Sequence, residues 1–256
     1  MQHLMRYRKN VIERNISFAF PGYHSTEVAA IKKDYYRHLS DIILETLAGY
    51  GKSAESIKKR LKFSNPEIIL DHHIAGRPLI VMGAHLGNWE WPNIAIPEQQ
   101  AYVMASMTKP ISNPYLDKYI QRKRSKTGAK MVSIYGSHRA LIQQNDAPWA
   151  FVFISDQYPP NQARAVEANF FGRPTKFLHG AQQIAKKKNY PLYGVEIKRV
   201  RRGHYVMEVQ LLADQSAALT ESELTQRYAT YLENCIKKQP SNWLWSHKRW
   251  KNAVVY

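Results

Sequence analysis

Short, continuously apolar runs alternate with amphipathic stretches along this chain of 256 residues. The runs at 79–82 and 149–154 have the pattern of strands that are buried on both faces of a sheet. Other apolar segments predict strands at 67–70, 101–107, 131–134, 192–198 and 205–211. The turn Arg201-Arg202-Gly203 between the last two of these predicts an antiparallel hairpin.

Helical periodicity separates these predicted strands. A long helix is predicted from Ser25, with an apolar stripe that ends before Gly49. Further helices are predicted at 54–61, from Pro114, and at 137–144, 178–188 and 221–238. Alternating strands and helices imply a sheet that is at least partly parallel. The sequence therefore predicts an α/β fold, with an N-terminal helical section (1–66) packed on an α/β core (67–256) as one compact domain.

Charge is the unusual feature of the composition, because 37 Lys and Arg against 20 Asp and Glu give a net charge of +17. This excess predicts an acidic partner, which could be nucleic acid, anionic lipid or an acidic carrier protein. A single cysteine, Cys235, excludes a disulfide framework within the chain. No apolar run approaches the ~20 residues that span a bilayer, and no signal peptide is recognised.

Candidate chemistry follows the run at 79–82, in the stretch PLIVMGAHLGNWEWP. Here the chain turns at Gly83 and presents His85, with Glu90 five residues later. Polar groups at the carboxyl end of a strand are typical of α/β active sites. With His85 in the turn and Glu90 in the first turn of the next helix, the carboxylate would fix the imidazole as a general base. The alternative is a structural histidine beside an ordinary helix N-terminal acid.

Six blocks of sequence, in order between residues 14 and 251, resemble the bacterial lipid A late (secondary) acyltransferases. GAHLGNWE resembles the family's His-x-x-x-x-Asp/Glu block, and ISDQ (154–157) its Asp-Gln at a strand end. The remaining blocks are RNISFAFP (14–21), Lys109-Pro110 with Asn113-Pro114, Asp117, Arg124 and Gly128, NFFGRPT (169–175) and SNWLWSHKRWK (241–251). In the NFFGRPT loop the aromatic residues could wall an apolar substrate channel or simply pack at the surface.

This resemblance implies a glycerolipid-acyltransferase-like fold that transfers an acyl group from a thioester on acyl carrier protein to a hydroxyl of an acylated glucosamine lipid. It assigns His85 as general base and Glu90 as its orienting carboxylate. Arg124 and Asp156 match the family's other functional positions, for binding the sugar-phosphate acceptor or ordering the site, although Arg122 is an alternative to Arg124. The remaining substrate-binding candidates are Gln157 and Asn88. No metal or cofactor is implied.

The four residues His85, Glu90, Asp156 and Arg124 are predicted to face one another across one cleft at the carboxyl edge of the sheet. Thioester attack develops an oxyanion, and its candidate donors are Arg124 and the backbone amides near Gly87.

The resemblance also implies residence at the cytoplasmic face of the inner membrane. The chain would bind there peripherally, through basic and aromatic surface, or through an N-terminal anchor absent from this sequence. Two other functions are open to the residues. A lipid or thioester hydrolase would use the same dyad on water, and a non-catalytic nucleic-acid binder would use the basic clusters with Tyr and Trp. The ordered blocks argue against nucleic acid as a partner.

Overall fold

The computed structural model describes residues 7–135, 147–251 and 253. Within these ranges, seven strands form one mixed sheet, and all neighbouring strands are parallel except β8 and β9. Across the sheet the strands are β1 (Leu61–Phe63), β9 (His204–Ala213), β8 (Leu192–Arg201), β2 (Leu79–Gly83), β5 (Trp149–Ile154), β3 (Val103–Thr108) and β4 (Lys130–Ser133). A separate antiparallel hairpin consists of β6 (Val166–Phe170) and β7 (Arg173–Phe177).

Helices flank this sheet and supply the N-terminal section. They are α1 (Lys9–Ala19), α2 (Ser25–Gly51), α3 (Ala54–Lys58), α4 (Leu70–Ile74), α5 (Pro92–Ala95), α6 (Pro114–Arg124), α7 (Gly180–Lys188) and α8 (Glu221–Lys238). Local sequence explains several of their ends. Asn113 caps α6 by accepting hydrogen bonds from the backbone amides of the first turn, and Thr220 forms a capping box with Glu223 at the start of α8.

The strand β2 shows how the sheet divides the core into two layers. Its side chains alternate between the two faces, as the pleat requires. Leu79 and Val81 join a cluster that includes α3 and α5, whereas Ile80 and Met82 join a larger cluster on the other face, with α1, α2, α7 and α8. Residues on both faces are therefore apolar, which explains the continuous apolar run in the sequence.

The tryptophan-rich C-terminal run closes the larger core and is tied to the N-terminal helices. The Asn15 side-chain amide donates to the carbonyls of Trp245 (2.8 Å) and His247 (2.7 Å). The Tyr35 hydroxyl accepts from the backbone amide of Ser246 at 3.2 Å. A β-bridge between Leu86 and Trp243 then brings this run against the loop that follows β2. The N-terminal helices and the C-terminal run therefore meet beside that loop.

Most of the predicted elements are confirmed, including the α/β class, the partly parallel sheet, the β8–β9 hairpin and the N-terminal helices. The strand predicted at 67–70 is wrong. This stretch forms a 3-10 helix, Pro66–Ile69, followed by α4, because Pro66 favours a helical first turn. The helix predicted at 54–61 ends at Lys58, and β1 follows it. The helix predicted at 137–144 lies outside the described residues, and the domain division at residue 66 stays a prediction.

The segment predicted as a loop at 169–175 forms the end of the β6–β7 hairpin, and only Phe171 and Gly172 lie in its turn. Phe171 (φ 54°) and Gly172 (φ 73°) occupy the two central positions with positive φ, as a type I′ hairpin turn requires. Phe170 is fully buried and stacks on Trp250, and Phe171 packs in the same cluster. These aromatic residues belong to the core, and the prediction that they wall a substrate channel is wrong.

Candidate active site

The site forms where two neighbouring parallel strands end together. In the sheet register Gly83, the last residue of β2, lies beside Ile154, the last residue of β5. His85 and Asp156 each follow two residues after these strand ends. The order of the strands therefore brings the two side chains to one point at the carboxyl edge of the sheet.

The carboxylate that holds the His85 imidazole is that of Asp156. Nδ1 of His85 lies 2.8 Å from one oxygen of Asp156, and the His85 backbone amide donates to the other oxygen at 3.0 Å. The indole N–H of Trp243 donates to that second oxygen at 2.8 Å. Asp156 is almost fully buried and accepts three hydrogen bonds, so its position and that of the ring are fixed. The contact assigns the proton to Nδ1 and leaves Nε2 as the basic nitrogen.

His85 and Asp156 each stabilise the charged form of the other. Burial alone would lower the pKa of His85, but attraction to Asp156 and their hydrogen bond outweigh it, and Glu90 adds to the effect, so the pKa is raised. Burial opposes ionisation of Asp156, yet His85 and the hydrogen bonds from His85 and Trp243 lower its pKa. Asp156 is therefore a carboxylate at neutral pH, and His85 is a stronger base than an exposed histidine.

Glu90 does not hydrogen-bond to His85, so the predicted His85–Glu90 pairing is wrong. Its carboxylate is held by Arg124, with Nε at 2.9 Å from one oxygen and Nη2 at 2.6 Å from the other. The Tyr50 hydroxyl donates to the same carboxylate at 3.3 Å. Glu90 lies in a turn that precedes α5, and the forked guanidinium at the end of α6 matches both of its oxygens. Glu90 still lies close enough to His85 to raise its pKa.

The other predicted site residues lie in different surroundings. Gln157 faces the site, with its side-chain nitrogen 3.5 Å from Nε2 of His85. Arg122 is exposed on α6, so Arg124 is the arginine that reaches the site. Asn88 is fully buried, donates to Glu45 at 2.9 Å and accepts from the backbone of Trp91. These bonds give Asn88 a structural role in the loop, and its contact with a substrate stays a prediction.

Gly87 is required by the backbone of the loop. Its φ is +61°, and an added Cβ would lie 2.3 Å from the carbonyl oxygen of Ile197. Its amide donates to the carbonyl of Asn242 at 3.1 Å, so it cannot also bind an oxyanion. Arg124 lines the cavity beside His85, and the other backbone amides near Gly87 stay predicted donors.

A cavity of about 570 Å³ opens beside His85, Glu90 and Arg124. It runs along the face of the sheet that carries Leu79 and Val81, towards the amino ends of the parallel strands. The stretch of β2 from Gly83 to Leu79 alone extends about 13 Å at about 3.3 Å per residue. Its interior is lined mainly by apolar side chains, which include Phe63, Ile69, Leu79, Val81, Met104, Ala150, Val152, Val195, Ile197, Met207 and Val209. The cavity therefore suits a long apolar chain whose reactive end meets His85.

Trp243 holds Asp156 and Tyr50 holds Glu90, and neither residue has a role that the sequence alone predicts. Trp243 lies in the tryptophan-rich block, and that block was its only sequence signal. Tyr50 is 40 residues from Glu90 and carries no local signal, since their contact depends on where α2 ends.

In the part of the chain that the structure describes, no helix has both the length and the hydropathy to cross a membrane. No curated protein matches the sequence. The sequence profile of the bacterial lipid A biosynthesis acyltransferases matches residues 1–252, nearly the whole chain. The match agrees with the ordered blocks and with a basic histidine beside an apolar cavity. The chain belongs to the bacterial lipid A biosynthesis acyltransferase family and is an acyltransferase.

Proposed function

We propose that the protein transfers a fatty acyl group from acyl carrier protein to a hydroxyl of a lipid A precursor or a related anionic bacterial glycolipid or aminolipid. The observation that carries this proposal is the His85–Asp156 pair at the mouth of a long apolar cavity. The family match supports the reaction class, and the net charge of +17 suits an acidic carrier protein and an anionic acceptor.

In the proposed mechanism His85 is the general base, and the acceptor hydroxyl is the nucleophile. Nε2 of His85 removes the hydroxyl proton while the oxygen attacks the thioester carbonyl. The carbonyl oxygen becomes an oxyanion, and collapse of the tetrahedral intermediate expels the thiolate. The imidazolium then returns its proton to the thiolate, which leaves an ester and a free thiol. Asp156 stabilises the imidazolium throughout, because its buried carboxylate remains ionised.

Arg124 is the proposed oxyanion donor, and Glu90 is the residue that positions it. The bidentate pair uses Nε and Nη2 of Arg124, which leaves further N–H groups on the guanidinium. Side-chain exposures of 21% for Arg124 and 14% for Glu90 place the pair in a partly desolvated setting. Hydrogen bonds to a developing charge are stronger in such a setting than in water.

The apolar cavity is the proposed site of the donor acyl chain, and Ala150 tests this assignment. Ala150 lines the cavity near the amino end of β5, far from His85. In Ala150→Leu we expect the preferred thioester to become shorter by several carbons, because the larger side chain fills the deep part of the cavity. Competition between acyl thioesters of different lengths, read by mass spectrometry of the products, measures this preference.

Met104, which also lines the cavity, supplies the opposite variant. Met104→Ala lengthens the space and is expected to shift the preference towards longer chains. If both variants keep the wild-type chain-length profile while their rates change, the acyl chain does not occupy this cavity.

We also propose that the protein docks peripherally on the cytoplasmic face of the inner membrane. The support is a surface formed by Leu44 and Leu47 of α2 with Leu116 and Tyr119 of α6, all of which are exposed. Tyr50 at the end of α2 contacts Tyr119, so the two helices adjoin there. The basic residues Lys118, Arg122 and Lys123 lie on α6. Apolar and basic side chains together match an anionic bilayer surface.

Leu47→Ser combined with Leu116→Ser is expected to reduce co-sedimentation with anionic lipid vesicles at least several-fold, because both changes remove apolar contact. Ile74→Ser is the matched control, since Ile74 is 74% exposed on α4, before the amino end of β2. If the double variant binds anionic vesicles as well as wild type does, this surface is not the membrane contact. If wild type binds zwitterionic and anionic vesicles equally, the basic residues of the surface do not contribute.

The proposed reaction is tested with purified protein, acyl carrier protein thioester and a hydroxylated lipid acceptor. We expect acylated lipid and free carrier thiol in equal amounts. A hydrolase would instead release free fatty acid at the same rate with and without the acceptor. Finding only free fatty acid, whatever the acceptor supplied, would overturn the transferase proposal.

A further inference from the structure

A second groove, with a volume of about 400 Å³, lies next to the cavity at the candidate active site. Its walls come from the residues just before α1, from α2 and from the C-terminal run, and they include Arg8, Leu39, Ile43, Leu244 and His247. Gln157 lines both the groove and the apolar cavity. The side-chain nitrogen of Gln157 lies 3.5 Å from Nε2 of His85, so the side chain that the two spaces share adjoins the basic nitrogen.

Two hydrogen bonds connect the groove to the residues around His85 and Gln157. The amide of Leu244 donates to the carbonyl of His85 at 3.1 Å. The amide of Tyr158, directly after Gln157, donates to Nε2 of His247 at 2.9 Å. A molecule in the groove would therefore contact Leu244, which is bonded to His85, and His247, which is bonded to the residue after Gln157.

The polar part of the groove can bind an anion. Arg8 donates one hydrogen bond from Nη1 to the carbonyl of Ser246, and the guanidinium carries further N–H groups. Among the described residues Arg8 has no carboxylate partner. Burial lowers the pKa of His247 to about 4, and the charge of Arg8 contributes, so the ring is neutral at neutral pH. Because Nε2 accepts a hydrogen bond, the proton is on Nδ1.

The remaining walls are apolar. Leu39 and Ile43 are one turn apart on α2, and Leu244 lies opposite them on the C-terminal run. Ile43 is 45% exposed, so the apolar side of the groove continues to the surface of α2. An apolar wall with a cation beside it suits an amphipathic anion.

We propose that this groove binds the acceptor lipid, with an acyl chain along Leu39, Ile43 and Leu244 and an anionic group on Arg8. The inference rests on the proposed function. In this arrangement the donor thioester and the acceptor hydroxyl approach His85 from the two spaces that Gln157 separates. The ligand class is an anionic lipid with a free hydroxyl.

Steady-state kinetics with a phosphorylated acceptor lipid in detergent test the role of Arg8. Arg8→Gln is expected to raise the KM for the acceptor about 10-fold, because a hydrogen bond to a charged group is lost. The KM for the acyl carrier protein thioester is expected to stay unchanged. Lys9→Gln is the matched control, since it removes the same charge from the next residue, which does not line the groove.

The same two proteins, wild type and Arg8→Gln, are then compared with an acceptor lipid that lacks its phosphate. If Arg8 binds the phosphate, Arg8→Gln and wild type will use the dephosphorylated acceptor with the same KM. Equal effects of Arg8→Gln and Lys9→Gln would show that only bulk charge matters, which would overturn the proposed contact.

The apolar wall is tested by Ile43→Gln, with the exposed Ile74→Gln as control. We expect a rise of several-fold in the acceptor KM for Ile43→Gln alone, and binding of a non-hydrolysable acyl thioester analogue confirms that each variant is folded. If wild type transfers acyl groups and neither Arg8→Gln nor Ile43→Gln alters the acceptor KM, the groove is not the acceptor site. If wild type transfers no acyl group at all, the proposed function itself fails.

Discussion

Replacing Asp156 with asparagine is expected to lower acyl transfer at least about 100-fold and to move the acid limb of the pH–rate profile to lower pH. The neutral amide removes the charge that raises the pKa of His85. The wild-type base is lost as the pH falls through this raised pKa. Without Asp156 the pKa is lower, so the imidazole stays neutral to lower pH, although it is a weaker and less well oriented base. Rates measured between pH 4 and 9 with saturating substrates give both quantities.

Glu90→Gln is the matched control, because it neutralises the other carboxylate near His85 and keeps its shape. We expect a much smaller shift of the acid limb, since Glu90 makes no hydrogen bond to the ring. His85→Gln gives the lowest rate expected in this series, because removing the proposed general base lowers acyl transfer about 10²–10⁴-fold. A larger shift for Glu90→Gln than for Asp156→Asn would show that Glu90 is the carboxylate that orients His85.

Arg124→Gln is expected to lower kcat about 10²–10³-fold, the usual cost of removing one oxyanion donor. The same change leaves the Glu90 carboxylate in a partly buried site without its bidentate partner. Arg124→Lys is expected to recover little activity, because an ammonium group cannot form the fork that matches both oxygens of Glu90. Single-turnover measurements with preloaded acyl thioester separate this effect from binding.

Arg122→Gln provides the control for Arg124, since it removes an exposed arginine from the same helix. We expect kcat within about two-fold of wild type for this variant, in line with the small effects of most surface substitutions. Similar losses in the two variants would mean that α6 contributes general positive charge rather than a positioned donor.

The sequence predicted where the site lies better than how its parts pair. The apolar runs at 79–82 and 149–154, each followed by polar residues, correctly predicted two strands that end at one edge. The partner of His85 could not be read from spacing, because Asp156 is 71 residues away and reaches it only through the adjacency of β2 and β5. Glu90 is near His85 in sequence and matches the family's His-x-x-x-x-Asp/Glu block, but its carboxylate binds Arg124 through two hydrogen bonds.

The cavity and the groove cannot be predicted from the sequence, for a different reason. A cavity is space that side chains leave unfilled, and the residues around it come from several strands and loops that periodicity cannot align. Ala150 shows the difficulty, since a small residue in a buried strand has the same pattern whether it faces a cavity or a packed core. Likewise β1, with three residues, is too short for a periodic signal, and only its pairing with β9 defines it.

The hydrogen bond from Trp243 to Asp156 can form only late in translation of the chain. Trp243 lies 87 residues after Asp156, and the carbonyls of Trp245 and His247 bind Asn15 near the other end of the chain. A growing chain that already contains His85 and Asp156 has not yet acquired the indole that fixes their carboxylate. Such distant contacts are among the slowest to form. The set of hydrogen bonds on Asp156 can therefore be complete only after Trp243 has been synthesised, and the bonds from Asn15 to the C-terminal run only after His247.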